Sequence, residues 1–253
     1  MGRRLGQHFL TNANLLERIA AAACPERTPL AIEIGPGKGA LTSRLLDRCE
    51  RLIAIELDTV LAGRLRERYG AEPRLTLIRQ DALETDLGQW GRAVVAGNLP
   101  YYVATPLIDK FLATQPSADR GVFLVQREVA QRIAALPGSR DYGYLSVACQ
   151  LRADVEILFR VPPAAFRPPP KVDSAVIRLV PRDKSAALGI DRISAFLDFL
   201  RAAFRQKRKT LRNNLASRYG AAVQAWPEAR LRAEQLSLSQ LTELYLRTTA
   251  PNE

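Results

Sequence analysis

The stretch Asn98-Leu99-Pro100-Tyr101 places an amide, a rigid turn and an aromatic ring directly after the short run of small and apolar residues 94–97, which Gly97 is expected to end. This run predicts a buried strand, so the four residues are expected at a strand's carboxyl end, the edge where open α/β sheets bind ligands. The Asn98 oxygen can accept a hydrogen bond, Pro100 fixes a backbone dihedral angle, and Tyr101 offers a flat face with a polar tip. Such a set suits a planar ring that carries an amino group. The alternative is a strand that ends in a proline turn beside a buried tyrosine.

A glycine turn with the sequence GPGKG, residues 35–39, connects the first apolar run of the chain, residues 30–34, to a helical pattern. An acid, Glu56, ends the next apolar run about 20 positions later. This layout is typical of α/β domains that bind nucleotides, because glycines let the backbone approach the ligand and the acid binds ribose hydroxyls. We therefore predict that Gly35 and Gly37 border a binding site and that Glu56 binds a ribose.

The spacing of this turn also fits a nicotinamide dinucleotide, so an oxidoreductase is one interpretation. Two residues count against it, because Pro36 lacks an N–H that could bind a pyrophosphate and Glu33 adds negative charge just before the turn. A ligand with adenosine and a positive centre but no phosphate fits better, and S-adenosylmethionine is such a ligand. Its adenine amino group needs an acceptor, for which Asp81, after the third apolar run, is the candidate.

Strand-like and helix-like segments alternate along the first part of the chain, which predicts a doubly wound, Rossmann-like α/β fold with a parallel sheet. Helices are expected at 12–23, 41–49, 59–69, 105–112 and 128–136, and strands at 30–34, 52–56, 75–78, 94–97 and 121–125. Two late strands, 155–159 and 174–180, precede a region with helical patterns only. We place the domain boundary there, which gives an S-adenosylmethionine-binding domain at 1–181 and a small all-helical domain at 182–253.

The chain carries 37 Lys and Arg residues against 26 Asp and Glu, and this net charge of +11 favours a polyanionic partner such as nucleic acid. Its apolar runs are shorter than the roughly 20 residues of a membrane span, and its first residues do not resemble a signal peptide. We therefore expect a cytoplasmic protein that does not bind membranes. Three widely spaced cysteines, Cys24, Cys49 and Cys149, predict reduced core residues rather than disulfides or a metal site.

The basic segment, residues 201–212, contains six cations and no acid. Around it, apolar residues from Ile193 to Leu215 recur at helical spacing and predict a helix with one buried face. The four arginines are spaced i, i+4, i+7 and i+11, so they would form one continuous cationic stripe along that helix. Because a solvated face normally mixes both signs of charge, we predict contacts with nucleic-acid phosphates. The cations concerned are Arg201, Arg205, Lys207, Arg208, Lys209 and Arg212.

Five motifs in combination resemble those of the small-subunit ribosomal RNA adenine dimethyltransferases. The matching segments are GQHFL at 6–10, the glycine turn, IELD at 55–58, NLPY at 98–101 and FRPPPKVDS at 166–174. The resemblance implies a Rossmann-like domain of the class I methyltransferase type, with S-adenosylmethionine as methyl donor. It also implies dimethylation of two adjacent adenosines in the 3′-terminal hairpin of 16S ribosomal RNA. We expect this RNA to be presented in a pre-assembled small ribosomal subunit and the enzyme to be a monomer.

In that family, the donor is lined by the positions that match His8, Leu10, Gly35, Glu56, Asp81 and Asn98 of this chain. The chain departs from the common family pattern at His8, where asparagine is usual, and at Lys38, where an apolar residue is often found. Tyr102 also replaces a more common asparagine. These departures leave the other expected contacts in place, and they leave open whether His8 contacts the donor through its side chain.

The chemistry of an adenine amine indicates how such a site would work. The amine lone pair is delocalised into the ring, whereas a sulfonium methyl group is already strongly electrophilic, so positioning matters more than a strong base. The Asn98 oxygen and the backbone carbonyl of Leu99 or Pro100 can accept the two amine protons and aim the lone pair at the methyl group. We expect Tyr101 to stack on one face of the base and Phe166 on the other.

Three other functions stay open from the sequence. A large-subunit ribosomal RNA adenine methyltransferase of the antibiotic-resistance type shares the same combination of asparagine and aromatic ring. A non-catalytic RNA-binding assembly or transcription factor could use the same fold, although the presence of Glu56, Asp81, Asn98 and Tyr101 argues against a loss of catalysis. The nicotinamide-dependent oxidoreductase is the third.

Overall fold

The computed structural model describes residues 8–114 and 117–249, so Gly6 and Gln7 of the first motif lie outside the described residues. The helices are α1 (Ala13–Ala23), α2 (Ala40–Leu46), α3 (Thr59–Tyr69), α4 (Ala104–Ala113), α5 (Arg127–Ile133), α6 (Tyr144–Arg152), α7 (Ile193–Ala203), α8 (Leu211–Tyr219) and α9 (Leu238–Thr249). The strands are β1 (Phe9–Leu10), β2 (Thr28–Ile34), β3 (Cys49–Glu56), β4 (Leu75–Arg79), β5 (Ala93–Asn98), β6 (Ala118–Gln126), β7 (Ala153–Val161), β8 (Phe166–Arg167) and β9 (Ser174–Pro181). Within these two ranges, no helix is both long enough and apolar enough to cross a membrane.

In the described residues, seven strands form one sheet with the order β4-β3-β2-β5-β6-β9-β7. Neighbouring strands from β4 to β6 are parallel, and β9 pairs antiparallel with β6. The strand order reverses between β2 and β5, and in doubly wound sheets ligands bind outside the carboxyl ends of the strands at such a point. The predicted doubly wound α/β fold is therefore confirmed.

The central strands carry apolar side chains that are fully buried, including Ile32 of β2 and Ile53 of β3. Such near-continuous apolar runs are typical of parallel strands that are covered on both faces. The three cysteines are buried, as the sequence predicts for core residues, and none of them takes part in a disulfide among the described residues: Cys24, Cys49 and Cys149. The parallel sheet thus provides a rigid support for the residues at its carboxyl edge.

Strand β5 continues through Gly97 to Asn98, so the predicted end of this strand at Gly97 is wrong. Gly97 pairs with Phe123 of β6, and a Cβ atom at this glycine would lie 2.5 Å from the carbonyl oxygen of Ile34. The glycine therefore permits a close approach between β2 and β5 instead of a turn. As a consequence, the Asn98 side chain projects from the last residue of a strand.

Two helices are shorter than the sequence predicts. Helix α2 ends at Leu46 because Cys49 already begins β3, where it pairs with Thr28 of β2. Helix α5 ends at Ile133, whose carbonyl oxygen accepts a hydrogen bond from the side chain of Gln150 at 3.0 Å. In both cases a contact with a distant part of the chain replaces the next turn of helix.

The chain divides into two compact units. Unit 1 comprises Met1–Ala130 and Val155–Pro181, and unit 2 comprises Gln131–Asp154 and Arg182–Glu253. From the sequence, residues 131–154 were expected in the first domain. Their apolar side chains, such as Tyr142 and Val147, instead belong to the core of unit 2 together with Phe196. Helical periodicity shows which residues are buried, but it does not show which distant helix buries them.

Helix α7 ends at Ala203 and α8 begins at Leu211, so the basic segment does not lie on one helix and the predicted continuous stripe is wrong. The buried side chain of Asn214 explains the break. Its Nδ2 donates to the carbonyl oxygens of Ala203 at 2.8 Å and Gln206 at 3.1 Å. These bonds satisfy carbonyl groups that a continuing helix would have paired with backbone N–H groups. The cations at 205–209 therefore lie on turns.

Helix α9 begins with two reciprocal hydrogen bonds between Ser237 and Gln240. The backbone N–H of Gln240 donates to Ser237 Oγ at 3.3 Å, and the N–H of Ser237 donates to Gln240 Oε1 at 2.9 Å. These two bonds form a capping box at the helix start. Leu241, Leu244 and Tyr245 are buried, so this helix contributes to the core of unit 2.

Candidate functional site

A cavity of about 460 Å³ opens in unit 1 at the carboxyl ends of β2, β3, β4 and β5. The lining includes the residues predicted to bind the donor and the whole NLPY motif. These residues are His8, Leu10, Gly35, Gly37, Glu56, Asp81, Asn98, Leu99, Pro100 and Tyr101. The parallel topology thus brings together residues from the ends of successive strands that are far apart in the sequence.

Glu56 is buried beside the glycine turn, and both of its carboxylate oxygens accept backbone hydrogen bonds. Oε2 accepts from the N–H of Gly37 and Oε1 from the N–H of Asp58, each at 2.9 Å. Burial raises the pKa of this carboxyl group, and the two N–H donors partly oppose that effect. The contact with Gly37 ties the acid to the turn, so Glu56 has a defined orientation towards the cavity.

The glycine turn uses its own N–H groups within the protein. Gly35 and Gly37 adopt positive φ angles of 67° and 60°, which favour glycine. The N–H of Gly35 donates to the carbonyl of Ile55, and that of Gly39 donates to the carbonyl of Pro36, both at 2.9 Å. Since the Gly37 N–H is bonded to the Glu56 carboxylate, none of these three glycine N–H groups is available to a pyrophosphate. This arrangement disfavours a nicotinamide dinucleotide.

Glu33 is buried on β2 and lines the cavity. Thr42 Oγ1 donates to Glu33 Oε2 at 2.6 Å. Burial nevertheless raises the pKa of Glu33 to about 8, so the carboxyl group is mostly neutral at pH 7. The negative charge that the sequence predicts beside the turn is therefore reduced by the burial of Glu33.

Asp81 lies two residues beyond β4 and closes a turn with its own carboxylate. Its Oδ1 accepts the N–H of Leu83 at 2.8 Å, and its backbone carbonyl accepts the hydroxyl of Thr85 at 2.8 Å. These bonds hold the side chain at the edge of the sheet, where it lines the cavity. Its acceptor oxygens suit the role predicted for it, the recognition of an amino group.

The Asn98 amide is oriented by the backbone of the N-terminal segment. Its Nδ2 donates to the carbonyl oxygen of His8 at 3.0 Å, which leaves the side-chain oxygen as the acceptor available to a ligand. The Pro100 carbonyl already accepts the N–H of Val103 at 3.0 Å. Of the two backbone acceptors considered from the sequence, the Leu99 carbonyl is therefore the better candidate.

Two contacts that the sequence does not reveal fix the ring of Tyr101. Its hydroxyl shares a hydrogen bond of 2.8 Å with Ser174 Oγ, and its ring lies 5.9 Å from the His8 ring at an angle of 29°. The Nδ1 atom of His8 is 2.9 Å from the carbonyl oxygen of Pro168. Ser174 ends the FRPPPKVDS motif and begins β9, which was the available signal that it lies near the site.

Phe166 is fully buried, and the structure contradicts its predicted role as a second stacking face. It forms the short strand β8 and pairs with Leu10 of β1. Its side chain belongs to the core of unit 1 and does not line the cavity. Because an aromatic ring must expose a face to stack on a base, Phe166 supports the cavity wall through packing instead.

The basic segment lies in unit 2, and its cations are exposed. Arg201 pairs with Asp198 at 2.7 Å, and Lys207 donates to the carbonyl oxygen of Arg140. Across the described ranges, the other four cations take part in no ion pair: Arg205, Arg208, Lys209 and Arg212. Exposed cations without an acidic partner are suited to bind phosphate groups.

Comparisons with known proteins identify the family of this chain. Residues 2–248 match the family described as ribosomal RNA adenine dimethylase. A protein of Acidobacterium capsulatum named ribosomal RNA small subunit methyltransferase A is 46% identical, and the match covers 96% of this chain and 89% of that protein. A protein of the same name from Bordetella bronchiseptica is 43% identical, with coverage of 96% and 92%.

Solved structures show the same fold over nearly the whole chain. A dimethyladenosine transferase from Plasmodium falciparum superposes with a TM-score of 0.80 and 24% identity, covering 96% of this chain and 98% of that one. The 23S rRNA methyltransferase ErmE superposes with a TM-score of 0.72 and 25% identity, covering 96% and 100%. Together with the family match, these findings show that the chain belongs to the ribosomal RNA adenine dimethylase family and is a methyltransferase.

Proposed function

We propose that this protein uses S-adenosylmethionine to dimethylate the N6 amines of two adjacent adenosines in the 3′-terminal hairpin of 16S ribosomal RNA. One observation carries the proposal: Asn98, Leu99 and Tyr101 line the same cavity as Glu56 and Asp81. Acceptors for an adenine amine and acceptors for an adenosine-containing donor therefore share one site. The relatives named ribosomal RNA small subunit methyltransferase A support the choice of the small-subunit RNA.

The donor side of the cavity fits S-adenosylmethionine. Each Glu56 carboxylate oxygen accepts one backbone N–H, which leaves acceptor capacity for the two ribose hydroxyls. Asp81 is the proposed acceptor for the adenine amino group, and Leu10, Gly35 and Gly37 line the same space. When bound, the donor supplies a methyl group that is activated by a positively charged sulfur atom.

Asn98 and Leu99 are the groups that we assign to the target amine. The Asn98 side-chain oxygen and the Leu99 carbonyl accept the two N6 protons, which directs the nitrogen lone pair towards the methyl group. The bond from Asn98 Nδ2 to the His8 carbonyl keeps the acceptor oxygen in place before the base arrives. In this role His8 acts through its backbone. An amide also avoids the negative charge with which an aspartate would attract the sulfonium.

Tyr101 is assigned to stack on the target base once it leaves the RNA helix. Its ring is held by Ser174 and His8, so little side-chain freedom is lost when the base binds. Stacking of a base on an aromatic ring contributes about 1–3 kcal/mol. Tyr101 therefore supplies the affinity for the base, while Asn98 and Leu99 supply its orientation.

The basic segment supports binding of a structured RNA. Arg205, Arg208, Lys209 and Arg212 are exposed and without ionic partners in the described parts of the chain, so they can displace counterions from RNA phosphates. We propose that the RNA is presented within a pre-assembled small ribosomal subunit in the cytoplasm and that the enzyme acts as a monomer. Sedimentation of the protein at assay concentration tests whether the enzyme is a monomer.

The decisive experiment is mass mapping of methylated adenosines after incubation with S-adenosylmethionine and three substrates. These are naked 16S RNA, assembled small subunits and large subunits, with the Asn98→Ala variant as a control for contaminating activity. We expect dimethylation of two neighbouring adenosines near the 3′ end of 16S RNA, with small subunits as the best substrate. Methylation of the large subunit alone would support the second candidate function, a large-subunit ribosomal RNA adenine methyltransferase. The similarity to ErmE favours this alternative. RNA binding without methylation of any substrate would support a non-catalytic role.

A further inference from the structure

Tyr102 is a cavity residue for which the proposed function has no role. It follows Tyr101 directly and lies in the turn that the bond from Val103 N–H to the Pro100 carbonyl closes. Its side chain is 60% exposed, yet it lines the cavity. The exposed ring contributes little to the core and is available to a ligand in the cavity.

The two consecutive tyrosines line the same cavity but have different neighbours. Tyr101 contacts Ser174 and His8. The hydroxyl of Tyr102, in contrast, lies within electrostatic range of Asp81 and Glu56. Its pKa is raised by partial burial first and by the negative charges of these two carboxylates second. One short turn therefore gives one aromatic ring Ser174 and His8 as neighbours and brings the other near Asp81 and Glu56, the two acids at the proposed donor end.

A second exposed apolar residue lies at the donor end. Leu57 follows Glu56, lines the cavity and is 53% exposed. A ligand that covers apolar surface in a cavity gains binding free energy, because that surface is removed from water. Leu57 and Tyr102 thus provide apolar surface beside the two acids that bind polar groups of a nucleoside.

We infer that Tyr102 is a donor-binding residue whose ring covers the adenosine part of the methyl donor at the Glu56 and Asp81 end of the cavity. This inference rests on the proposed function and deepens it. The adenine ring offers a π face for stacking, and Asp81 and Glu56 bind the amino group and the ribose at its edges. Tyr101 is thereby left to the target base.

The test is calorimetric titration of the full-length protein with two probes, S-adenosylhomocysteine and 5′-methylthioadenosine, which share the adenosine but differ in the amino-acid part. Tyr102→Ala is expected to weaken the binding of both probes by a similar factor, about 5- to 150-fold, as for the loss of one base–aromatic contact. Tyr102→Phe keeps the ring and should bind both probes like the parent. Val60→Ala, which alters an exposed residue of α3 outside the cavity lining, is the matched control and should change neither affinity.

Three results would overturn the inference. The first is parental affinity of Tyr102→Ala for both probes, and the second is a loss for S-adenosylhomocysteine alone, which would place the ring at the amino-acid end. The third is a slower single turnover of Tyr102→Ala at saturating donor with unchanged donor affinity, which would assign the ring to the target base. A parent that binds both probes but methylates no RNA would contradict the proposed function instead, and the titrations would still decide the role of Tyr102.

Discussion

The cavity of unit 1 and the basic segment of unit 2 differ in how they are built. The cavity combines side chains from the ends of four parallel strands, and its polar groups are bonded to the backbone, as Glu56 is to Gly37 and Asn98 is to His8. The basic segment is local in sequence, exposed, and carries cations such as Arg208 that have no ionic partner in the described residues.

This difference indicates that the cavity positions the reacting groups precisely, whereas the basic segment attracts RNA through its charge. Preorganised groups in a protected site can contribute several kcal/mol each to a transition state, whereas an exposed cation adds a small, salt-dependent increment to RNA affinity. Single substitutions in the cavity should therefore have large effects on chemistry or donor binding, and those in the basic segment small and additive effects on RNA binding.

The largest effect is expected for Asn98→Ala, which removes the oriented acceptor. Single-turnover methylation at saturating donor and small subunits should be about 10²–10³-fold slower, because one preorganised polar partner of the transition state is lost. Asn98→Asp keeps an oxygen but adds a charge, so it should bind the donor at least as well and still turn over slowly. A rate for Asn98→Ala within about threefold of the parent would remove Asn98 from the mechanism and leave stacking and proximity as the source of catalysis.

The next largest effect concerns donor binding by Glu56. Glu56→Ala loses charge-assisted hydrogen bonds worth about 1.5–3 kcal/mol each, so the affinity for S-adenosylmethionine should fall by about 10-fold or more while RNA affinity is retained. Calorimetry provides the measurement, with Glu67→Ala, an exposed acid of the neighbouring helix α3, as control. Thermal unfolding without donor reports any damage to the glycine turn. Equal donor affinity of parent and variant would refute the ribose contact.

A third prediction uses the buried carboxyl group of Glu33. Its pKa of about 8 in the folded protein lies above the ordinary value of 4.5, so the folded state holds a proton that the unfolded state releases between these pH values. This contribution to stability is complete below pH 4.5 and is lost as the pH rises through 8, at about 1.4 kcal/mol per pH unit. Urea unfolding at pH 5.5 and 7.5 should show a steeper loss for the parent than for Glu33→Gln. Parallel losses would show that Glu33 is ionised in the folded protein.

The smallest single effects are expected in the basic segment. Arg205→Ala, Arg208→Ala or Arg212→Ala should each reduce the salt dependence of RNA binding by about 0.7–0.9 in the logarithmic slope, without a change in donor affinity. Arg201→Ala should have a smaller effect because Arg201 is paired with Asp198, which makes it a matched control. If the combined variant of Arg205, Arg208 and Arg212 keeps the parental slope, these cations are a solvated surface, and the contrast with the cavity fails.

Much of the fold and of the candidate site could be predicted from residue order. The alternation of apolar runs and helical patterns predicts the parallel sheet, and acids or amides that follow such runs must meet at one edge, since parallel strands share their direction. Glu56, Asp81 and Asn98 follow this rule and line one cavity. The hydrophobic period and the position along a strand are local properties, so no knowledge of distant contacts is needed.

Tertiary contacts decided those features of the fold and the site that the local sequence left open. Gly97 could end a strand or let two strands approach, and the proximity of Ile34 selects the second. The basic segment could continue a helix, but the side chain of Asn214 bonds the carbonyl groups at its start. Phe166 could face a ligand or the core, and its pairing with Leu10 places it in the core. In each case the local sequence permits two conformations of similar free energy, and a partner distant in the chain determines which one is adopted.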